Sequence, residues 1–328
     1  MYLDNRPMAT RRIKAHDQGV VMRHGSDPSA CDSLSAREAL IFKEGDTFHL
    51  LYDGVRPDGT RACLATSDDL IHWHKHGAIL DLGQPGTRDA GAACSPWVIY
   101  DGHEWHMFYI GSPTGKELPD FPYLTLKAHS ARLAGPWIKQ YNVVPFDTRP
   151  NTYYSVTASA GCIVKQADEY LQFFSSTTTL ADHPYVLRSL GIARTRDLNG
   201  AWQLDPEPMV PVQEQVENTS LYYEASNDTW YLFTNHIGID DHKELGIIEY
   251  TDAIWVYWTR DINHWDAQDK AIVLDAQNCT WAKGSIGMPS VIPVGNRLAM
   301  LYDALEGDAI SHFHRDIGLA WIDLPLGS

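Results

Sequence analysis

Apolar and polar positions along this chain fall into a pattern that recurs five times. Each copy is a short apolar strand, a Gly- or Asn/Asp-type turn, and an aromatic-rich strand. The copies read EALIFKEGDTFHLLYDG from Glu38, SPWVIYDGHEWHMFYIG from Ser95 and GCIVKQADEYLQFFSST from Gly161. The last two are TSLYYEASNDTWYLFTN from Thr219 and PSVIPVGNRLAMLYDA from Pro289. A second pattern follows four of them: a small-residue strand, a polar turn, then a Trp, as in RACLATSDDLIHWHKHG, LKAHSARLAGPWIKQ, GIARTRDLNGAWQLD and WVYWTRDINHWDAQ. Alternating or short continuous apolar runs bounded by Gly, Asn and Asp have the period and length of strands. Units repeated at this spacing bury their faces against one another.

The repeat predicts a four-stranded antiparallel blade. The fourth strand follows the Trp, in HGAILDL, YNVVPFD, EPMVPV and KAIVLDA. The last copy ends at IGLAWIDLPLGS without one, while Arg11–Arg23, RRIKAHDQGVVMR, has the character of a post-Trp segment. An N-terminal strand completing the last blade closes a ring and leaves only short, protected edges. The expectation is an all-β chain, residues 1–328 forming one five-bladed β-propeller. Trp73, Trp137, Trp202 and Trp265 recur at one position and are expected to wedge between blades. Trp97, Tyr153, Tyr154, Trp255, Trp258 and Trp281 fall outside that register. Aromatic faces stack on the CH faces of sugar rings, so these are candidates for lining a carbohydrate funnel.

Composition narrows the function classes. With 328 residues and 44% hydrophobic positions there is ample core for one large domain. The net charge of −16 argues against nucleic acid and anionic membranes as partners. No apolar run is long enough to span a bilayer, and the N-terminus shows no apolar signal region, so a cytoplasmic location is expected. Cys31, Cys63, Cys94, Cys162 and Cys279 form no CxxC pair and read as buried free thiols. The longest interruptions, Gly111–Thr125, Thr177–Leu190 and Asn235–Ala253, are expected on one rim.

Chemistry is expected where the innermost strands begin. Carboxylates recur at three of these starts: Glu38, Asp89 and Glu217. Burying such charges near a crowded axis is costly unless they are paired or catalytic. Arg37 and Arg88 precede two of them, so a solvated ion-pair ring is the alternative reading. No P-loop, dinucleotide motif or GxSxG elbow is present. His312-Phe313-His314 offers two imidazoles but no identifiable third ligand, so neither metal nor cofactor is expected.

The arrangement resembles the five-bladed propeller glycoside hydrolases, the grouping that includes families 43, 62, 32, 68, 117 and 130. In the family 43 pattern the first blade opens on an aspartate that acts as base; here Glu38-Ala39-Leu40-Ile41 stands in that register. Where that family has the acid in Glu-Gly-Pro, this chain has Glu217-Asn218-Thr219. The second-blade aspartate that tunes the acid is absent from Cys94-Ser95-Pro96-Trp97, and Asp89, just upstream, is the substitute.

The resemblance implies a glycosidase acting on a small carbohydrate, with Glu38 as base, Glu217 as acid and Asp89 raising the acid's pKa. Carboxylates on opposed blades suit the wide separation of inverting enzymes. Arg37, Arg88, Trp97, Tyr154, His236, His242 and Ser285 are candidate substrate contacts. Two alternatives stand beside this reading. A phosphorylase resembling family 130 needs a basic cluster, for which Arg37, Arg88, Arg149 and Lys283 are candidates. A non-catalytic sugar-binding propeller lacks facing carboxylates. The sequence carries no signal for the oligomeric state.

Overall fold

The structure, a computed structural model, describes residues 6–114, 123–181, 183–242 and 246–327, with residues 241 and 242 as backbone alone. The rim interruptions around 111–125 and 235–253, and the side chain of His242, therefore lie partly or wholly outside the described residues. Two strands open the chain, β1 (Arg11–Arg12) and β2 (Ala15–Met22). Unit one is β3 (Ser35–Glu44), β4 (Thr47–Arg56), β5 (Gly59–Ser67) and β6 (His74–Leu80). Unit two is β7 (Ala92–Tyr100), β8 (Trp105–Ser112), β9 (Leu124–Ser130) and β10 (Ile138–Lys139). Unit three is β11 (Thr157–Gln166), β12 (Glu169–Thr178), β13 (Leu187–Thr195) and β14 (Gln203–Leu204). Unit four is β15 (Val216–Glu224), β16 (Thr229–His242), β17 (Gly246–Thr259) and β18 (Lys270–Asp275). The last strands are β19 (Ala282–Val294), β20 (Arg297–Glu306) and β21 (Arg315–Asp323).

Within each unit consecutive strands pair antiparallel. The terminal complement read from the sequence is observed as a pairing: β2 runs antiparallel to β21, with Ala15 opposite Ile322 and Met22 opposite Ile317. The N-terminal segment also serves a second sheet, because β1 lies parallel to β18. Two expected fourth strands are much reduced. YNVVPFD contributes one bridge, Phe146 to Thr125, and β10 comes just before it. EPMVPV gives way to the two-residue β14 upstream and a 3₁₀ turn at Val212–Glu214. Pro145, Pro208 and Pro211 explain both, since proline has no N–H to give to a ladder.

The apolar face of each unit packs on the next. One core joins units one and two through Leu51, Leu64, Met107 and Tyr109, and another joins units two and three through Phe108, Phe146 and Phe174. Units three and four meet around Phe173 and Trp255, and unit four meets the last strands around Phe233 and Met300. A fifth core joins the last strands to unit one through Leu301, Leu319, Leu50 and Tyr52. Trp73, Trp137, Trp202 and Trp265 each sit in the core between their own unit and the preceding one. Trp202 meets Phe108 edge-on with centroids 5.3 Å apart, and Trp265 meets Phe173 likewise at 6.1 Å. Trp73, Trp137 and Trp265 donate their indole N–H to a carbonyl of the preceding turn, at 2.9–3.0 Å. Among the described residues no helix is long and apolar enough to cross a membrane.

Candidate functional site

The inner strands share one irregularity, and it builds the site. Each carries a bulge at the same place, between Arg37 and Leu40, Cys94 and Trp97, Ser159 and Cys162, Glu217 and Ser220, and Gly287 and Ser290. A bulge bends the strand and re-aims the side chain beside it. In four of them a residue other than glycine takes the left-handed backbone: Glu38 (φ 52°), Ser95 (φ 48°), Asn218 (φ 60°) and Met288 (φ 57°). Such a conformation persists only where its surroundings hold it.

Here the preceding unit supplies the hold. The backbone N–H of Glu38 donates to Asp303 Oδ2 at 2.8 Å, and that of Ser95 to Asp53 Oδ1 at 2.6 Å. The N–H of Asn218 donates to Ser175 Oγ at 2.7 Å, and that of Met288 to Asn235 Oδ1. One side chain from a second strand thus latches the bulge of the next unit, including the step from β20 to β3.

Residues of all five bulges line a cavity of about 800 Å³. Glu38, Ser95, Asn218 and Met288 line it and also line a neighbouring small pocket of about 10 Å³. Glu38, Glu217, Asp53, Glu249, Arg37, Arg188 and His312 all face it. Glu38 Oε2 accepts a short hydrogen bond from Ser95 Oγ, and Arg37 stands 3.6 Å from its other oxygen. Ser95 Oγ also lies 3.2 Å from Asp53 Oδ2. A hydroxyl has one proton to donate. Burial, followed by the nearby Glu38 charge, pushes the Asp53 carboxyl well above the usual carboxylate range. Burial also raises Glu38, against the pull of Arg37 and Ser95. The consistent arrangement has Asp53 carrying the proton and giving it to Ser95 Oγ, which donates to a Glu38 carboxylate.

Glu217 is held differently. Its Oε2 accepts from Arg188 Nε at 3.0 Å, while Arg188 Nη1 binds Glu249. One guanidinium therefore serves two carboxylates. Behind Arg37, Arg315 and Asp303 form a fully buried pair at 2.7 Å. Burial and the surrounding guanidinium groups of Arg37, Arg315 and Arg188 push the His312 imidazole well below its ordinary value, so it is neutral.

The structure brings Glu38, Glu217 and Arg37 together and puts the other expected residues elsewhere. Asp89 does not line the cavity. Its buried carboxylate accepts from Lys139 Nζ (2.7 Å), Thr87 Oγ1 (2.8 Å) and Tyr109 OH (2.9 Å). Burial opposes its ionisation, but these partners outweigh it and hold the carboxyl below the usual range. It fixes the loop entering unit two. Arg88 pairs with Asp147 on the surface at 3.1 Å, and Lys283 caps the carbonyls of Ala276 and Cys279. The expected basic cluster thus reduces to Arg37, joined by Arg188.

The expected aromatic lining is corrected too. Tyr153 and Tyr154 pack on Phe174 in the core between units two and three, and Trp97 packs at the edge of that core and of the one before it. Trp255 is fully buried under the ring of His236, stacked at 3.9 Å, and His236 Nδ1 meets Asp252 at 2.7 Å. Trp281 donates to Tyr302 OH at 2.7 Å, and Ser285 is fully buried. The aromatic groups that do face the cavity are Tyr123, Tyr185, His183, His312 and Phe313. Among the described residues no group of three or more His, Cys, Asp or Glu converges as a metal site.

No protein-family model and no curated protein matches the chain. Solved structures do. One, described as a glycoside hydrolase, superposes with a TM-score of 0.70 at 14% identity, covering 95% of this chain and 93% of its own. The catalytic domain of a Coprinopsis cinerea GH62 alpha-L-arabinofuranosidase gives 0.63 at 12% identity, covering 94% and 97%. A family 117 glycoside hydrolase from Zobellia galactanivorans gives 0.62 at 10%, covering 95% and 91%. The fold is that of the propeller glycoside hydrolases. At these identities the likeness speaks to architecture, and the chemistry has to be argued from the cavity itself.

Proposed function

We propose that this protein is a glycoside hydrolase built as a single, closed five-bladed propeller, and that it removes a terminal sugar from a small oligosaccharide or polysaccharide fragment with inversion of configuration. The observation that carries this is the convergence of Glu38 and Glu217, from β3 and β15, on one cavity. The five inter-unit cores and the β2–β21 pairing support the ring.

Glycoside cleavage needs a carboxyl that protonates the leaving oxygen and a carboxylate that activates water on the far side of the ring. Glu38 is the base: Ser95 holds it, and the proton on Asp53 keeps the Ser95 hydroxyl directed at it. Glu217 is the acid. Arg188 Nε fixes its side chain at the cavity wall. Arg37 lines the cavity and brings a positive charge 3.6 Å from Glu38. Tyr185 and Phe313 offer ring faces at the wall.

The experiment is a screen of aryl glycosides and oligosaccharides, with and without phosphate. L-Arabinofuranosides come first, given the named activity of one structural relative. Phosphate-independent release of a sugar whose first-formed anomer is inverted, followed by NMR, is the expected result. Phosphate-dependent turnover refutes hydrolysis, and retained configuration refutes the water-activating role of Glu38.

A further inference from the structure

Away from the cavity, two thiols face each other where the N-terminal segment enters unit one. Cys31 lies in the connection between β2 and β3 and is partly exposed; Cys63 is buried in β5, opposite Tyr52 of β4. Their Sγ atoms are 2.9 Å apart, although the residues are 32 positions apart in sequence. That separation is within about an ångström of a covalent S–S length of about 2.0 Å. The approach is built into the backbone. A Cβ at Gly54 falls 2.5 Å from Cys63 Sγ and 2.6 Å from the Cys31 carbonyl oxygen, so only glycine lets the connection lie this close to the strand pair. The connection is also anchored on both sides of Cys31. Arg56 donates to the Ser29 carbonyl at 3.4 Å, and buried Asp32 accepts from Tyr52 OH at 3.2 Å and pairs with Lys75.

We propose that Cys31 and Cys63 are a redox-active pair that closes to a disulfide, with a low-molecular-weight disulfide such as oxidised glutathione as the oxidant. The chemistry balances in two exchanges. The Cys31 thiolate attacks one sulfur of the oxidant and releases one glutathione thiolate. The Cys63 thiolate then attacks Cys31 Sγ in the mixed disulfide and releases the second. Both protein protons go to the two glutathione thiolates, and two electrons pass to the oxidant. The division of roles follows from the surroundings. Cys31 is the accessible member, and the hydrogen bond from the Cys63 thiol, helped by Lys75 and opposed by burial, lowers its pKa. Cys63 is shielded, and its bond to Cys31 together with burial raises it. An attacking thiol that is the more accessible of the two and a resolving thiol that is buried is the order exchange requires.

Closing the bond staples the connection that carries Leu34, part of the cavity wall, to the sheet of unit one. It therefore fixes covalently the join between β2, which is paired with the last strands, and β3. Cys94, Cys162 and Cys279 serve as internal controls, since they lie in other parts of the chain.

The test is to treat the full chain with oxidised glutathione, quench with acid, denature without reductant and titrate thiols. Two of the five thiols are expected to disappear, with peptide mapping linking the Cys31 and Cys63 peptides. Thermal melting is expected to rise on the order of 5 °C over the reduced protein, from the entropy a loop of this length removes from the unfolded chain. Cys31→Ser abolishes the loss of both thiols, and Cys63→Ala traps a mixed disulfide on Cys31. Five thiols remaining after treatment, a mixed disulfide on Cys31 that persists in the unaltered protein, or a link to another cysteine each overturns the proposal. Because the readout is thiol count and mass, it is independent of whether the cavity hydrolyses glycosides.

Discussion

Replacing Asp53 by Asn tests the proton assignment around Ser95 while keeping the side chain's shape. In the structure Asp53 is buried, accepts the Ser95 N–H through Oδ1 and lies 3.2 Å from Ser95 Oγ through Oδ2. An Asn repeats both contacts, its carbonyl oxygen accepting and its NH₂ donating, so it mimics the protonated acid. The folded-state pKa of Asp53 is raised by burial. The stability tied to the protonated form is therefore fully present below the unfolded carboxyl's pKa and is lost as pH rises through the folded one. Between those two pKa values the native protein falls behind the variant by about 1.4 kcal/mol for each pH unit, and above the folded one the gap is constant. For a chain of 328 residues the unfolding entropy is roughly 0.7 kcal/mol/K. The gap is then about 2 °C of Tm per pH unit.

Melting both proteins at half-unit steps from pH 5 to pH 9 supplies the assay. The variant is expected to be the more stable, by a margin that widens with pH up to the folded pKa of Asp53 and is constant above it. A difference that is constant across the range, or a variant less stable throughout, refutes the assignment of the proton to Asp53.

Deleting residues 1–23 removes β1 and β2 and bares the whole edge of β21; the truncated chain is expected to aggregate on expression, and a soluble product with unchanged Tm contradicts the ring. Asp303→Ala strands the buried Arg315 charge and takes the latch from the Glu38 N–H. The expected cost is about 3–5 kcal/mol, or roughly 4–7 °C of Tm by calorimetry. Replacing both partners, Asp303→Leu with Arg315→Met, is expected to recover part of that loss, and a double variant as unstable as the single one contradicts the buried-charge argument.

The repeat made the strand order, the recurring Trp wedges and the N-terminal complement legible, because each follows from periodicity and from the need to bury an apolar face. Glu38 and Glu217 were legible because they sit where inner strands begin. Asp89 misled because closeness in sequence stood in for closeness in space: it precedes its strand and turns away to Lys139 and Tyr109. Asp53 and Asp303 carry a repeat signal of their own. They occupy the same place in HLLYDG and AMLYDA, where unit four has Asn235, and all three latch the next unit's bulge. Arg188 had no such marker, since in LRSLGIART only the antiparallel register with β12 decides which side faces the cavity. The out-of-register aromatics are large enough to fill gaps between units, and that packing took them away from the cavity.

The most direct test of the central claim compares Glu217→Gln and Glu38→Gln on two substrates, a natural linkage and an aryl glycoside with a good leaving group. Both variants must first match the wild-type Tm. The activated leaving group barely needs protonation, whereas acid catalysis contributes about 10²–10⁴-fold where it is needed. Glu217→Gln is expected to fail on the natural linkage and to keep substantial activity on the aryl glycoside, while Glu38→Gln fails on both. Normal hydrolysis of the natural linkage by Glu38→Gln, or equal loss of both activities in Glu217→Gln, contradicts the account.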